Sequence, residues 1–331
     1  MPAAQDAALL RLINDCQRCF PLQSRPFAAL AETMPPGWDE DGLLAALGRA
    51  REAGLLSRIG AVFAPNTVGS STLAAMAVPE AQLDSVASFV SSHRQVNHNY
   101  RRDHRYNLWF VVAADSPAGV ADVLSRIYLA TGIRPLNLPL VREYHIDLGF
   151  DFLPGGHLPA RVAVAAPLPV ELADWQRQRL LAALSGGLPL TERPYAALAD
   201  SCGLDEAQAL GQIARWQSER VIRRFGMVVR HHELGYRANA MCVWRIDDIV
   251  ERDRVARLLS AEPAVTLCYE RPARAPDWPY QLFTMIHARD AQALDAALDD
   301  IRRRHGLHDV PLAVLRSTRR YKQSGARYGH A

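Results

Sequence analysis

Residues 97–109 concentrate side chains that could bind an anion and transfer protons. The segment reads NHNYRRDHRYNLW and contains two histidines, three arginines, two tyrosines and a tryptophan. Two adjoining strands cannot bury so many cationic and proton-donating groups in an apolar interior unless those groups have partners. We therefore predict a binding site here, for a flat anionic ligand that accepts both charge and ring stacking.

Strand periodicity indicates which of these side chains act together. Alternation along a strand over residues 94–101 places His98 and Tyr100 on the same face. Alternation along a second strand over residues 104–114 leaves polar and aromatic groups on both faces. The sequence therefore predicts that the ring of His98 lies beside the ring of Tyr100.

An internal repeat of about 165 residues organises the chain. Residues 58–63, RIGAVF, match residues 224–229, RFGMVV. Two further pairs of segments match with a register shift of a few residues: 96–100 with 265–269, and 106–110 with 280–284. This duplication indicates two homologous modules instead of one large domain.

Each half begins with a helical pattern. In the first half, apolar residues at helical spacing predict helices over 6–20, 26–34 and 39–55, a bundle of helix-turn-helix size. Residues 54–63 then predict a β-hairpin wing. Residues 174–229 repeat this plan, and Asp205 is predicted to cap the third helix of the repeat.

Each half continues with alternating strand and helix patterns. The predicted strands and helices follow the order βαββαβ, over 71–78, 80–91, 94–101, 104–114, 117–131 and 137–152 in the first half, and over 238–246, 249–261, 264–270, 279–288, 290–305 and 309–321 in the second. This order predicts a ferredoxin-like layer with helices on one face of an antiparallel sheet. The fold class is thus α+β, a tandem duplication in which each half is a winged helix-turn-helix followed by a ferredoxin-like domain.

The domain boundaries follow from these patterns. The predicted domains are a first winged helix-turn-helix over 1–66, a first ferredoxin-like domain over 67–153, a linker over 154–173, a second winged helix-turn-helix over 174–233 and a second ferredoxin-like domain over 234–331. Gly155 and Gly156 lie in the linker. The histidines His231 and His232 follow the second wing. Adjacent strand residues point in opposite directions, so at most one of the two could face a given ligand, and we interpret both as surface residues.

Composition excludes several classes of function. The chain has 331 residues, 49% of them hydrophobic, and a net charge of only +3, so no global field attracts nucleic acid or an anionic membrane. No apolar run approaches the roughly 20 residues of a membrane span, and the protein is expected to be cytoplasmic. The five cysteines are irregularly spaced and predict no disulfide framework. Cys16 and Cys19 form a lone C-x-x-C motif within a helical pattern, which is weak support for metal or redox work.

A helix-turn-helix followed by a ferredoxin-like domain is the architecture of the Lrp/AsnC transcription regulators. Such regulators read the major groove with the N-terminal residues of their third helix. Here those residues are acidic, with Asp39, Glu40 and Asp41 in the first half and Asp205 and Glu206 in the second. Carboxylates at these positions would face DNA phosphates, so no DNA partner is expected.

The ferredoxin-like halves carry a pair of motifs that resemble the signatures of the siroheme decarboxylases. The first half carries NHNYR at 97–101 with HRYNLW at 104–109, and the second carries CYERP at 268–272 with WPYQLFTMIH at 278–287. Those enzymes are Lrp/AsnC-like proteins of haem d1 synthesis in denitrifiers and of the alternative haem pathway. The resemblance covers nearly the whole chain, and one signature in each half resembles the fused D-L type of subunit.

The resemblance implies a reaction and a set of roles. It implies removal of carbon dioxide from two acetate side chains of siroheme, leaving methyl groups and giving 12,18-didecarboxysiroheme. It implies no organic cofactor, because the iron belongs to the substrate. By position, His98 and His104 are expected to bind that iron or to transfer protons, with His287 as a candidate from the second half, and Tyr100 and Arg101 complete the predicted catalytic group.

Substrate chemistry accounts for the remaining candidate residues. Siroheme is a flat macrocycle rimmed by carboxylates, so its binding requires arginines at the rim and aromatic faces above and below the ring. The predicted rim arginines are Arg101, Arg102, Arg105, Arg142 and Arg271, and the predicted aromatic groups are Tyr100, Tyr106, Trp109, Trp278 and Tyr280. Further predicted contacts are Asn107, His145, Tyr269 and His287.

The two halves are not expected to form equivalent sites. His98 corresponds to Leu267 or Cys268, depending on the register, and His104 has no counterpart because residues 272–279 rewrite the hairpin. A pocket formed between the halves could take its histidines from one half and Arg271, Tyr280 and His287 from the other.

Two alternative functions remain open at this stage. One is a haem-responsive transcription regulator, and the other is a non-catalytic tetrapyrrole-binding subunit whose activity resides in a partner, since binding and catalysis draw on the same residue types. The expected partners are siroheme itself and either a second copy of the chain or homologous decarboxylase subunits.

Overall fold

In the computed structural model of the protein, the described residues are 2–146, 171–229 and 238–325. They belong to two compact units. Unit 1 comprises Met1–Val68, Gly149–Leu234 and Tyr328–Ala331, and unit 2 comprises Gly69–Leu148 and Gly235–Arg327. Each unit therefore takes segments from both halves of the chain. Unit 1 contains the two helix-turn-helix regions, and unit 2 contains the two ferredoxin-like regions.

The helices and strands follow the predicted order. The described helices are α1 (Pro2–Asp15), α2 (Pro26–Glu32), α3 (Glu40–Glu52), α4 (Leu83–Ser92), α5 (Pro117–Thr131), α6 (Asp174–Gly186), α7 (Pro194–Cys202), α8 (Glu206–Ser218), α9 (Ile249–Ser260) and α10 (Ala291–His305). The described strands are β1 (Leu56–Phe63), β2 (Ser70–Met76), β3 (Val96–Arg102), β4 (Leu108–Ala114), β5 (Leu136–Pro139), β6 (Arg142–Ile146), β7 (Ile222–Val229), β8 (Ala238–Trp244), β9 (Val265–Glu270), β10 (Leu282–Ala288) and β11 (Leu312–Gln323). The first helix ends at Asp15, five residues earlier than predicted.

Side-chain caps fix the start of the third helix in each helix-turn-helix. The Asp39 carboxylate accepts a hydrogen bond from the Gly42 amide at the start of α3. At the start of α8, the Asp205 carboxylate accepts a hydrogen bond from the backbone N–H of Gln208. The side-chain oxygen of Gln208 accepts in return from the backbone N–H of Asp205. The prediction that Asp205 caps this helix is confirmed.

The prediction of a hairpin wing in each half is wrong. Leu56–Phe63 forms the single strand β1, and its partner is β7 of the other half in an antiparallel two-stranded sheet. Gly60 pairs directly with Gly226 at the centre of this ribbon. The backbone at Cys16 and Gln17 lies against Gly226 so closely that a Cβ atom there would collide with both carbonyl oxygens. The two helix-turn-helix regions are thus joined into one core around the ribbon.

Unit 2 contains one continuous sheet of nine strands. Their order is β5-β2-β4-β3-β11-β8-β10-β9-β6. The single strand predicted over 137–152 is wrong, because β5 pairs with β2 of its own half whereas β6 pairs with β9 of the other half. Strand β11 likewise pairs with β8 through its first residues and with β3 of the first half through its last. The final strand of each half therefore joins the two halves.

The sheet has one helix-covered face and one face that folds onto itself. Two apolar clusters pack the helices against the sheet, one in each half. A third cluster contains no helix residue and takes side chains from β2, β4, β5, β8, β9, β10 and β11. We call this helix-free surface the inner face. Since the two edge strands β5 and β6 are consecutive in the chain, with only Leu140 and Val141 between them, the sheet edges approach each other around the inner face.

Several predictions fall on residues outside the described ranges. His231, His232 and most of the predicted linker lie there. Within the described ranges, no helix is long and apolar enough to cross a membrane.

Candidate functional site

His98 and Tyr100 project from β3 on the inner face of the sheet, as alternation predicted. Their rings are stacked with centroids 6.3 Å apart and an interplanar angle of 22°. Asn99, the residue between them, points to the opposite, helix-covered face and donates its amide hydrogen to the Ala87 carbonyl of α4. Burial raises the pKa of Tyr100, so its hydroxyl remains protonated at neutral pH.

Arg102 is a buried cation at the end of the same row of side chains. Its exposed fraction is 7%, one guanidinium nitrogen donates to the Leu315 carbonyl at 2.9 Å, and the group lies 5.9 Å from the centre of the Tyr100 ring. Burial lowers the pKa of Arg102 to about 10, and the side chain is still charged at neutral pH. Among the described residues no carboxylate pairs with it, and its Nε has no hydrogen-bond acceptor.

The second half repeats this arrangement with Tyr269 and Arg271. The Arg271 guanidinium lies 4.6 Å from the centre of the Tyr269 ring and donates to the Leu138 carbonyl of β5. Burial also lowers the pKa of Arg271. Arg102 therefore binds a backbone carbonyl of β11 in the second half and Arg271 one of β5 in the first half, so both contribute to joining the halves as well as offering positive charge.

His104 lies in the turn before β4. Its predicted place on a strand over 104–114 is wrong, because β4 begins at Leu108. The Tyr106 amide donates a hydrogen bond to the His104 Nδ1 atom over 3.0 Å, and the two rings are stacked with centroids 6.3 Å apart. Burial lowers the pKa of His104, and Arg105 adds to the effect, so the imidazole is neutral at neutral pH.

Trp278 from the second half packs against this turn. Its ring centroid lies 5.6 Å from that of His104, 6.0 Å from that of Tyr106 and 5.1 Å from that of Trp109. Trp109 and Trp278 are almost fully buried, at 2% and 0% exposure, so in this conformation they build the wall of the inner face and offer no open ring to a ligand. Tyr280 is half-buried and contacts Trp278 with centroids 5.0 Å apart.

His287 is the inner-face histidine of the second half. It lies on β10 two residues beyond Met285, which belongs to the inner-face cluster. Its Nδ1 atom is 3.0 Å from the Thr266 hydroxyl oxygen on β9. The inner face thus receives histidines, arginines and tyrosines from both halves.

Three predicted residues have other partners. Arg101 points away from the inner face and forms an ion pair of 2.8 Å with Glu80. The Asn107 amide is engaged by the backbone of Val78, donating to its carbonyl and accepting from its N–H. Arg105 is exposed. These contacts assign Asn107 to structure.

Gln281 of the second half occupies the place of Asn107. Its side-chain oxygen accepts from the Ile246 amide, at the position that Val78 occupies in the first half. The two residues therefore hold equivalent strand ends.

Arg142 and His145 lie elsewhere in unit 2. They line an open groove of about 540 Å³ between β6 and α9. Arg142 is ion-paired at 2.8 Å with Asp253 of α9 and is half-exposed. This groove lies on the helix-covered side, so the structure does not bring these two residues together with His98.

Asn97 and Thr266 were not among the predicted site residues. Each contacts the Nδ1 atom of an inner-face histidine, Asn97 that of His98 at 2.9 Å and Thr266 that of His287. Each is also the extra residue of a β-bulge. A bulge depends on strand pairing, so single-sequence alternation carries no signal for it.

The cysteines take no part in this arrangement. All five are free, and Cys16, from the C-x-x-C motif, is buried with the pKa of its thiol raised to about 12, mainly by burial. A buried thiol that stays protonated is a poor nucleophile. Within the described ranges, no group of three or more His, Cys, Asp or Glu side chains is gathered to hold a metal ion.

The fold and the inner face define a class of protein, a tandem Lrp/AsnC-like protein whose ligand-binding layer carries histidines and buried arginines. Family models agree with this class. Residues 68–145 and 233–322 match the AsnC-like ligand binding domain, and residues 10–56 and 177–223 match the siroheme decarboxylase NirDL-like HTH domain. The chain belongs to the siroheme decarboxylase NirDL family.

Individual relatives support this membership. The siroheme decarboxylase NirDL subunit of Paracoccus denitrificans is 41% identical over 320 residues, which cover 96% of each chain. A siroheme decarboxylase NirD subunit of Stutzerimonas stutzeri is 46% identical over 145 residues, covering 44% of this chain and 94% of its own. The crystal structure of a siroheme decarboxylase NirDL in co-complex with an iron-uroporphyrin III analogue has a TM-score of 0.69 and 26% identity, covering 98% of this chain and 94% of that one.

Proposed function

We propose that this chain decarboxylates siroheme in haem d1 biosynthesis. It removes carbon dioxide from the acetate side chains at C12 and C18 and yields 12,18-didecarboxysiroheme. The observation that carries the proposal is the inner face, where histidines and arginines from both halves share one surface with aromatic rings. That surface matches a flat, iron-bearing ring with carboxylates at its rim, and the relative with a bound iron-uroporphyrin analogue supports the choice of ligand class.

The arginines supply the charge that such a substrate needs. Arg102 and Arg271 are cations without a carboxylate partner among the described residues, and each lies against a tyrosine ring. Guanidinium groups bind carboxylates through paired, charge-assisted hydrogen bonds, and these bonds are stronger where water is excluded. We assign these two residues to substrate carboxylates that are retained through the reaction, while Arg101, which is paired with Glu80, belongs outside the pocket.

The histidines supply the proton that the reaction requires. When the bond between the acetate carbon and its carboxylate breaks, carbon dioxide leaves and the electron pair stays on the exocyclic carbon, where the conjugated ring delocalises it. One proton must then reach that carbon to form the methyl group. Histidine exchanges protons near neutral pH, and positioned acid catalysis contributes about 10²- to 10⁴-fold. His98 is our candidate for this transfer. No cofactor beyond the substrate's own iron is proposed.

A transcription regulator is the weaker alternative. The first residues of the two third helices, Glu40 and Glu206, are engaged in one polar network. Arg25 forms ion pairs with Glu40 and with Glu192, whereas the Ser24 hydroxyl donates to Glu206 at 2.9 Å. In dimeric regulators the corresponding helix ends enter grooves about 34 Å apart. A network that ties them together through adjacent residues supports a structural role for the helix-turn-helix regions.

Purified protein and siroheme distinguish the enzyme from a binding subunit. After anaerobic incubation, mass spectrometry of the extracted tetrapyrrole should show two successive losses, each equal to one carbon dioxide. The His98→Ala variant should bind siroheme, as followed by absorbance, but turn over about 10²- to 10⁴-fold more slowly. His93→Ala, at the exposed end of α4, is the matched control and should behave as wild type. Absorbance changes without a mass change in the wild type would instead indicate a non-catalytic subunit that requires a homologous partner.

A further inference from the structure

Asn97 and His98 are adjacent on β3 and would point to opposite faces of a regular strand. They meet because the pairing of β3 with β4 skips a residue. Val96 pairs with Val112 and His98 pairs with Val111, which leaves Asn97 as the extra residue of a β-bulge. The bulge brings the Asn97 side-chain oxygen to 2.9 Å from His98 Nδ1. Asn97 is 5% exposed, and its backbone carbonyl accepts a hydrogen bond from the backbone N–H of Ser324. Burial and this bond fix the position of the residue.

This contact fits one of the two neutral tautomers of His98. An amide oxygen only accepts hydrogen bonds, so the contact is a hydrogen bond when Nδ1 carries the hydrogen. In the neutral imidazole the lone pair is then on Nε2, which is the nitrogen that can receive a proton or bind an iron.

The second half also contains a bulge residue that contacts the Nδ1 atom of a histidine. Leu267 pairs with Met285 and Val265 with Ile286, so Thr266 is also the extra residue of a bulge. The Thr266 hydroxyl donates to the Met285 carbonyl at 3.2 Å and contacts His287 Nδ1 at 3.0 Å. A hydroxyl has one hydrogen. When that hydrogen goes to the carbonyl, the oxygen accepts from His287 Nδ1, and His287 then has the same hydrogen arrangement as His98.

His104 is held in the opposite way. The Tyr106 backbone N–H donates to His104 Nδ1, which must therefore carry the lone pair. The neutral imidazole then carries its hydrogen on Nε2. In this tautomer His104 Nε2 can donate a hydrogen bond but cannot accept a proton or ligate iron.

We propose that Asn97 is a positioning residue that holds His98 as the Nδ1–H tautomer, which places the basic lone pair on Nε2, whereas His104 is held as the Nε2–H tautomer. This assignment rests on the proposed decarboxylase function and divides its roles. His98 Nε2 takes up a proton from water, and the resulting imidazolium delivers that proton to the exocyclic carbon and returns to the neutral Nδ1–H tautomer. His104 is a hydrogen-bond donor to a substrate carboxylate.

Nuclear magnetic resonance of the ligand-free protein tests the tautomers independently of activity. The full chain is labelled with ¹⁵N-histidine, and long-range proton–nitrogen correlations are recorded near neutral pH. His98→Gln and His104→Gln identify the two sets of signals by their disappearance. We expect the Nδ1–H pattern for His98 and the Nε2–H pattern for His104. The reverse pattern for either histidine would overturn the proposal, even if the wild type decarboxylates siroheme.

Substitutions of Asn97 test its role in turnover. Asn97→Leu removes the acceptor at similar volume, and it should mix the His98 tautomers and lower kcat by about 10- to 100-fold with little change in KM. Asn97→Thr, the residue that the second half carries at this place, should restore the tautomer and most of the rate. The control is Asn99→Cys, at the position two residues after Asn97. The second half carries Cys268 at this place, so the substitution should leave both the His98 tautomer and kcat unchanged. Wild-type kcat in Asn97→Leu, or a loss in Asn97→Thr equal to that in Asn97→Leu, would contradict the proposal. A wild type that lacks activity would refute the function and leave the tautomer result standing.

Discussion

At the scale of single residues, Glu262 is the clearest example of a charge that is buried for structural reasons. It is 6% exposed and accepts hydrogen bonds from the His305 ring at 2.5 Å and from two nitrogens of Arg304 at 2.9 and 2.7 Å. Burial raises the pKa of the Glu262 carboxyl, but the bonds from His305 and Arg304 outweigh it and leave the pKa below its ordinary value. The end of α10 is thereby fastened to the residues that follow α9.

This lowered pKa predicts how stability depends on pH. A carboxyl whose pKa is lower in the folded state stabilises the protein above its unfolded pKa, and the contribution is lost as pH falls through the folded pKa. Glu262→Gln should therefore reduce the free energy of unfolding by about 1.5 to 3 kcal/mol at pH 7. The difference from wild type should shrink as the pH is lowered into the acidic range. Urea denaturation at several pH values measures the difference in unfolding free energy and its dependence on pH. A difference that stays constant down to low pH would show that the ionised Glu262 carboxylate does not contribute to stability.

At the scale of elements, the β1–β7 ribbon depends on a glycine. A Cβ atom at Gly226 would collide with the carbonyl oxygens of Cys16 and Gln17, which follow α1. We expect Gly226→Ala to destabilise unit 1 by about 1 to 3 kcal/mol, since backbone atoms cannot move aside as side chains do. Hydrogen exchange of the β1 and β7 amides should become faster.

The matched control for this prediction is a glycine with space around it. A Cβ atom added at Gly48, in the middle of α3, would meet no atom within 4 Å apart from its chain neighbours and the backbone of its own helix. Gly48→Ala should stabilise the helix by about 0.5 to 1 kcal/mol because alanine has the higher helix propensity. If both substitutions slowed exchange in the ribbon, the close approach at Gly226 would be refuted.

The elements also show what a single sequence can predict. Local patterns predicted the helices, the βαββαβ order and the shared face of His98 and Tyr100, because these features depend on neighbouring residues. The pairing of β1 with β7 and of β6 with β9 was missed because strand partners are chosen over long separations. The burial of Trp109 and Trp278 was missed for the same reason, since their partners come from the opposite half. The bulge at Asn97 depends on the partner strand, so alternation along a single strand cannot predict it.

At the scale of the whole molecule, strand exchange makes each half dependent on the other. Strand β3 pairs with β11, β6 with β9 and β1 with β7, so every half alone would expose unpaired strand edges. Open edges promote aggregation or pairing with another chain. Relatives that match only one half, such as the NirD subunit of Stutzerimonas stutzeri, show that half-length chains of this family exist.

We therefore expect that dividing the chain between Gly155 and Gly156 gives two polypeptides that must be made together. Either half alone should aggregate or pair with itself, whereas the co-expressed halves should co-purify and decarboxylate siroheme. The control is a second half that ends at Arg316. It keeps the residues of β11 that pair with β8 and lacks those that pair with β3, so its association with the first half should weaken. Size-exclusion chromatography with light scattering measures the assembly, and stable monomeric halves or unchanged association of the shortened half would show that strand exchange is not what joins them.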